Sequence, residues 1–307
     1  MKRLKILTAI LICATLLLAT VGCKGNGPND DSAPDSVGPT LNSDGFDEEL
    51  CTFFDTFDGD EIDRTKWAFQ TGDGSDYGIP GWGNNEQQYY REENAELVDG
   101  CLVINAYRES FGGKNYTSSK LVTNKLFSQK YGRFEARIKL SHAEQGLWPA
   151  FWMMPEKSVY GGWPKSGEID IMELKGRFPK MASSAIHYGT PHTYDYGEYT
   201  FKEDTDITDF HLYTIDWYQN EIRMSIDGEI YRTYSAGKWF SSSVSENDQA
   251  PFDQEFFLIL NLAIGGNFDG GRVPANDKMP AQLVIDFVRV YDLKTIPLLN
   301  ETNYTQK

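Results

Sequence analysis

Short alternating and wholly apolar runs recur along the chain. Leu102-Val103-Ile104-Asn105-Ala106, Gly132 to Leu140, Glu221 to Ile226, Phe256 to Ile264 and Leu283 to Tyr291 all have strand length. Alternation sends one set of side chains into a core and the other outward, and unbroken apolar runs suit strands covered on both faces. Asp99-Gly100 and Asp227-Gly228 fall between such runs. Both dipeptides tolerate the positive φ of tight hairpin turns. There is no long helical periodicity, no strand–helix alternation and no internal repeat. The pattern predicts an all-β sandwich of antiparallel strands in one domain of about 250 residues.

One predicted strand breaks the rule that acids avoid sheets. Gly167-Glu168-Ile169-Asp170-Ile171-Met172-Glu173 carries three carboxylates. On a regular strand, positions 168, 170 and 172 share a face and Glu173 points away. A β-bulge near Ile171 and Met172 returns Glu173 to the side of Glu168 and Asp170, leaving Ile169 and one bulge residue to the core. Two readings stand at this point. The strand is either a solvated face ending in a turn, or a device for proton chemistry, because unpaired buried charge is costly.

The neighbouring segments are aromatic and glycine-rich. Upstream runs Gly146-Leu147-Trp148-Pro149-Ala150-Phe151-Trp152-Met153-Met154-Pro155, then Tyr160-Gly161-Gly162-Trp163. Trp148 and Trp152 are four apart, so on a strand they share a face. Downstream lies Ala185-Ile186-His187-Tyr188-Gly189. Carboxylates beside indoles suit sugars, whose C–H faces stack on rings while their hydroxyls need polar partners. Core packing is the competing reading for any single tryptophan.

The segment from Trp148 to Glu173 resembles the active-site region of glycoside hydrolase family 16, in particular the bacterial laminarinases, which are endo-β-1,3-glucanases. Other segments follow the family's order: Trp82-Gly83-Asn84-Asn85-Glu86-Gln87-Gln88-Tyr89-Tyr90, Tyr131 to Arg137, Phe210 to Trp217, Phe257 to Asn267 and Ile285 to Tyr291. The resemblance runs from about Phe53 to Asp292. It implies a jelly roll of two curved antiparallel sheets with a concave substrate cleft. It also implies retaining cleavage of β-1,3-glucan, with Glu168 as nucleophile and Glu173 as general acid/base. Asp170 is expected to orient Glu168 and set the carboxyl pKa values. His187 is expected on an adjoining strand near Glu173, with a purely structural histidine as the alternative. Trp148, Trp152 and Trp163 are stacking candidates, and Asn85 and Glu86 are hydrogen-bonding candidates for the sugar. His142, His192 and His211 carry no comparable signal. Catalysis needs no cofactor on this reading. Many family members hold one structural calcium, and the matching positions are the Thr56 carbonyl, the Gly100 carbonyl and the Asp286 side chain. Asp286 reads equally as a strand-end acid in water.

Lys2, Arg3 and Lys5 precede an apolar run from Ile6 to Val21, too short to span a membrane comfortably. Residues 1–22 read as a signal peptide of lipoprotein type, because Thr20-Val21-Gly22-Cys23 resembles a lipoprotein cleavage site. Cys23 is then the lipidated residue of an exported, membrane-anchored protein; ordinary cleavage and free secretion are the alternative. Residues 23–45 are rich in Gly, Pro, Asn, Asp and Ser and predict a flexible tether. The catalytic domain is placed at 46–293, and a polar tail at 294–307. Cys51 and Cys101 remain in the mature chain, either as one disulfide or as two free thiols. The formal net charge of -16 argues against nucleic acid as a partner. A monomer acting on a polysaccharide is expected. The rival readings are a related hydrolase for mixed-linkage glucan or a galactan, and a non-catalytic glucan-binding protein.

Overall fold

The computed structural model describes residues 48–295. The expected signal segment, Cys23 and the tether lie outside the described residues, as does the tail beyond 295. Two antiparallel sheets account for most of the described chain. The first runs, in spatial order, β15 (Glu229–Ser235), β14 (Glu221–Ile226), β13 (His211–Tyr218), β8 (Gly132–Leu140), β17 (Ala281–Tyr291), β5 (Cys101–Ala106) and β4 (Ala95–Val98), with β1 (Cys51–Asp55) also paired to β17. The second runs β12 (Thr193–Thr200), β11 (Met181–Tyr188), β10 (Glu168–Glu173), β9 (Leu147–Pro155), β16 (Phe256–Ile264), β7 (Lys120–Val122) and β2 (Ala68–Phe69). A short parallel pair, β3 (Gln88–Tyr90) and β6 (Tyr116–Ser118), stands apart.

The two Asp-Gly dipeptides form the hairpin turns their residue types dictate. Asp99 and Gly100 join β4 to β5 at φ 52° and 73°, and Asp227 and Gly228 join β14 to β15 at φ 51° and 79°. The sheets share one core. Phe134, Tyr213, Trp217 and Ile285 of the first sheet and Phe151, Ile169, Met172 and Leu260 of the second are at most 1% exposed and belong to one apolar cluster. Emptying one large site, as in Trp217→Ala, costs about 3–5 kcal/mol. The sandwich therefore holds β10 rigidly between β9 and β11, and its outer face is the one that carries the acids.

Cys51 and Cys101 are not joined in a disulfide. β8 occupies one edge of β17, so β5 and β1 lie end to end along the other. Cys51 pairs with Tyr291, whereas the Cys101 sulfur lies 3.9 Å from Asp286. Five residues along one strand separate them by ~16 Å, well beyond disulfide reach.

Candidate active site

A one-residue bulge builds the site. Against β9, Asp170 pairs with Trp152 and Glu173 with Ala150; against β11, Asp170 pairs with Ala185 and Glu173 with Ser183. Three steps on β10 thus match two on each neighbour, and the extra residue falls at Ile171–Met172. Both bulge residues enter the core, at 1% and 0% exposure, where one had been expected. Glu168, Asp170 and Glu173 consequently share the outer face.

Each acid has a distinct partner. Glu168 accepts a hydrogen bond from the Trp163 indole N–H at 2.7 Å, and Glu173 accepts one from the Trp148 N–H at 2.9 Å. Asp170 is 3% exposed, and its Oδ2 lies 3.2 Å from His187 Nε2, within ion-pair distance but not aligned as a hydrogen bond. His187 pairs with Glu168 across the ladder, not with Glu173. The antiparallel register sets Ser183 opposite Glu173, and His187 acts on Glu173 electrostatically from its place beside Glu168. Polar side-chain atoms of Glu168, Asp170 and His187 lie within 4.8 Å of one another.

Burial pushes all three carboxyl pKa values well above the ordinary range. The Asp170 charge adds a further upward push on Glu168 and Glu173, and a charged His187 opposes it on both. The three groups cannot all hold charge near neutral pH, so the cluster stores protons.

The tryptophans divide by exposure. Trp163 is 53% exposed and offers ring surface beside Glu168. Trp148 is 9% exposed, stacks on Phe268 at 4.9 Å and holds Glu173. Little of its ring is left for a sugar, so the structure places it as a support of Glu173 in place of the expected stacking surface. Trp152 is half-buried, donates to Asn261 at 2.7 Å and packs with Val122, Phe257 and Ile259.

Asn85 sits at φ 58° and donates to Asn267 at 2.9 Å, bridging two loops. Glu86 is 6% exposed; its carboxylate accepts from Gln88 at 2.6 Å and Tyr90 at 3.1 Å. Those bonds hold its carboxylate largely beneath the surface. Lys120, which the sequence reading missed, is the cation in its field. Its ammonium lies 4.3 Å from the Trp82 ring centre and 4.9 Å from that of Trp152. Burial lowers its pKa to about 8, against the opposing pull of Glu86 and Glu168. Beside Glu173 a cavity of about 40 Å³ opens among Lys175, Phe178, Ser183, Tyr196 and Glu198.

The candidate calcium residues fall around one gap in the first sheet. β5 covers β17 up to Ile285 and β1 covers it from Val288, so Thr56, just past β1, and Gly100, just before β5, flank Asp286. The Asp286 carboxylate accepts from Arg137 at 2.6 Å. One carboxylate and two carbonyls are hard oxygen donors of the kind calcium takes, and water must complete the six to eight ligands.

A face on which buried carboxyl groups store protons, two of them held by indole donors beside an exposed tryptophan, is the site of a glycoside hydrolase. The class narrows when the chain is compared with known proteins: the model for Glycosyl hydrolases family 16 matches residues 82–251. The chain belongs to that family. A glucan endo-1,3-beta-glucosidase of Niallia circulans is 40% identical over 252 residues, covering 77% of this chain but 37% of its own length. A beta-glucanase of Rhodothermus marinus is 40% identical over 241 residues, covering 75% of this chain and 80% of its own. The solved laminarinase catalytic domain of Thermotoga maritima superposes with a TM-score of 0.71 at 36% identity, covering 79% of this chain and 97% of that one.

Proposed function

We propose that the chain is a retaining endo-β-1,3-glucanase. The observation that carries the reading is the bulge at Ile171–Met172, which sets Glu168 and Glu173 on one face with Asp170 between them. Retention needs two carboxyl groups roughly 5–5.5 Å apart. In the first step ionised Glu168 attacks the anomeric carbon, and the bond to the glycosidic oxygen breaks. Glu173 gives its proton to that oxygen and becomes the carboxylate. In the second step Glu173 takes a proton from water, whose oxygen attacks the same carbon and releases Glu168. The cavity beside Glu173, about 40 Å³, has room for the attacking water.

Each glutamate accepts an indole N–H and has a lysine in its field, Lys120 for Glu168 and Lys175 for Glu173. The order of roles, Glu168 as nucleophile and Glu173 as acid/base, follows the family resemblance. The preference for β-1,3-glucan is supported by the named activities of the relatives in Niallia circulans and Thermotoga maritima. Initial rates of reducing-end release on laminarin, mixed-linkage glucan, agarose and carrageenan test it. Laminarin should be cut fastest, with oligosaccharides released from within the chain; faster cleavage of a galactan would overturn the specificity. Export, a lipid on Cys23, a monomeric state and a structural calcium complete the proposal.

A further inference from the structure

His192 lies just before β12, in the turn that joins it to β11. Its Nε2 is 2.8 Å from His187 Nδ1, and the two rings stack at 5.1 Å and 21°. The other nitrogen of His187 faces Asp170. The Trp163 ring packs on His192 at 4.7 Å, and its N–H goes to Glu168. His192 therefore touches both arms that reach the acids, one through His187 and one through Trp163.

We propose that His192 is a positioning residue that accepts the Nδ1 proton of His187 and so fixes which nitrogen of His187 is left to Asp170. A neutral imidazole has one donor and one acceptor nitrogen, so the contact between the rings has a direction. The charge count sets it. With the proton on His187 Nδ1, the Asp170–His187 pair, 3.2 Å apart, holds one further proton and carries no net charge. In the reverse direction His187 Nε2–H faces an ionised Asp170, and a second negative charge stands beside Glu168. Burial of that carboxylate cluster disfavours the second arrangement.

The groups around the pair agree. His192 meets His187 from β11, Tyr194 from β12 and Trp163 from the loop before β10. His187 faces Asp170, pairs with Glu168 across the ladder and lies in the field of Glu173, all on β10. His192 is exposed, but partial burial of its ring and a charged His187 both lower its pKa, the direction that leaves it able to accept. The same two-ring contact also holds Trp163 at the angle that delivers its N–H to Glu168.

The proposal deepens the retaining reading and is tested by a measurement independent of it. Nitrogen-15 correlation spectra of histidine-labelled protein report the proton on each ring nitrogen without turnover. His187 should carry a proton on Nδ1 and His192 none on Nε2; the opposite assignment overturns the proposal. In the pH profile of kcat/KM, His192→Phe should move the acid limb up by about half a unit to one unit, since it keeps a ring but no acceptor. His192→Gln, whose amide oxygen accepts, should restore the native limb. An unmoved limb in His192→Phe, or equal shifts in both variants, means that His192 only packs. Glu168→Gln in the same assay separates the failures, because an active Glu168→Gln defeats the retaining reading while leaving the proton assignment standing.

Discussion

Replacing Trp163 by phenylalanine removes one donor from the nucleophile while keeping an aromatic ring. The indole nitrogen is 2.7 Å from Glu168 Oε2, in the range of charge-assisted hydrogen bonds. It lowers the Glu168 pKa against the larger upward effects of burial and Asp170. A hydrogen bond to a charged group is worth about 1.5–3 kcal/mol, and one pKa unit is about 1.4 kcal/mol. Trp163 is 53% exposed, so water replaces part of the lost donor. The expected rise in the Glu168 pKa is therefore about one unit. Glu168 reacts only when ionised, so the acid limb of kcat/KM should move up by the same amount. Well below the limb the variant should be about tenfold slower, and on the plateau the loss should be small. Trp163→Ala should lose one to two further orders of magnitude, roughly, on laminarin, where the ring contact is also gone, and much less on a short aryl glycoside. Initial rates across the pH range on both substrates decide the matter. An unmoved limb in Trp163→Phe, with loss confined to laminarin, would refute the hydrogen-bond argument and leave Trp163 as a stacking surface alone.

Glu168→Gln should stabilise the fold as it abolishes activity. The folded pKa of Glu168 is raised, so its carboxyl contributes full stability at low pH and loses it as pH rises towards the folded pKa. Each pH unit between the unfolded and folded pKa values removes about 1.4 kcal/mol. The Tm gap between Glu168→Gln and wild type should therefore widen from acid to mildly alkaline pH, and a constant gap contradicts the burial argument. Calcium added to chelator-treated protein should raise Tm without changing kcat/KM, by about 1–3 kcal/mol of added stability at saturating ion, and Asp286→Asn should remove the increment. Cys23→Ser should move the protein from the membrane fraction to soluble or unprocessed forms; soluble wild-type protein would end the anchor proposal.

The layers, the hairpins and the acidic strand were legible because each depends on local chemistry. Asp99-Gly100 and Asp227-Gly228 accept a backbone conformation few other pairs accept. Glu168, Asp170 and Glu173 stood out because acids are rare on strands, and the count of residues between them spelled the bulge. What stayed hidden depends on partners distant in the chain. Glu86 reads as an exposed loop acid until Gln88 and Tyr90 hold it largely beneath the surface. Trp148 reads as a sugar platform until Phe268, from the far end of the chain, covers its ring. Lys120 is one cation in a short strand, and its place between Trp82 and Trp152 exists only once three segments meet. His192 gains meaning only when the turn after β11 folds it onto His187, five residues back, and Trp163 closes over it. The signal available in the sequence was the pair of histidines on either side of Gly189-Thr190-Pro191, a turn-forming triplet that brings its flanks together.

The division of labour between Glu168 and Glu173 is tested most directly by azide rescue of Glu173→Ala on an activated aryl β-glycoside. Such a substrate needs little acid assistance to lose its leaving group, so Glu168 still forms the glycosyl-enzyme. Without Glu173 as base, azide, which needs none, attacks the intermediate in place of water. The account predicts recovered turnover and a glycosyl azide of β configuration. A product of α configuration would mean that residue 173 is the nucleophile and that the two roles are reversed.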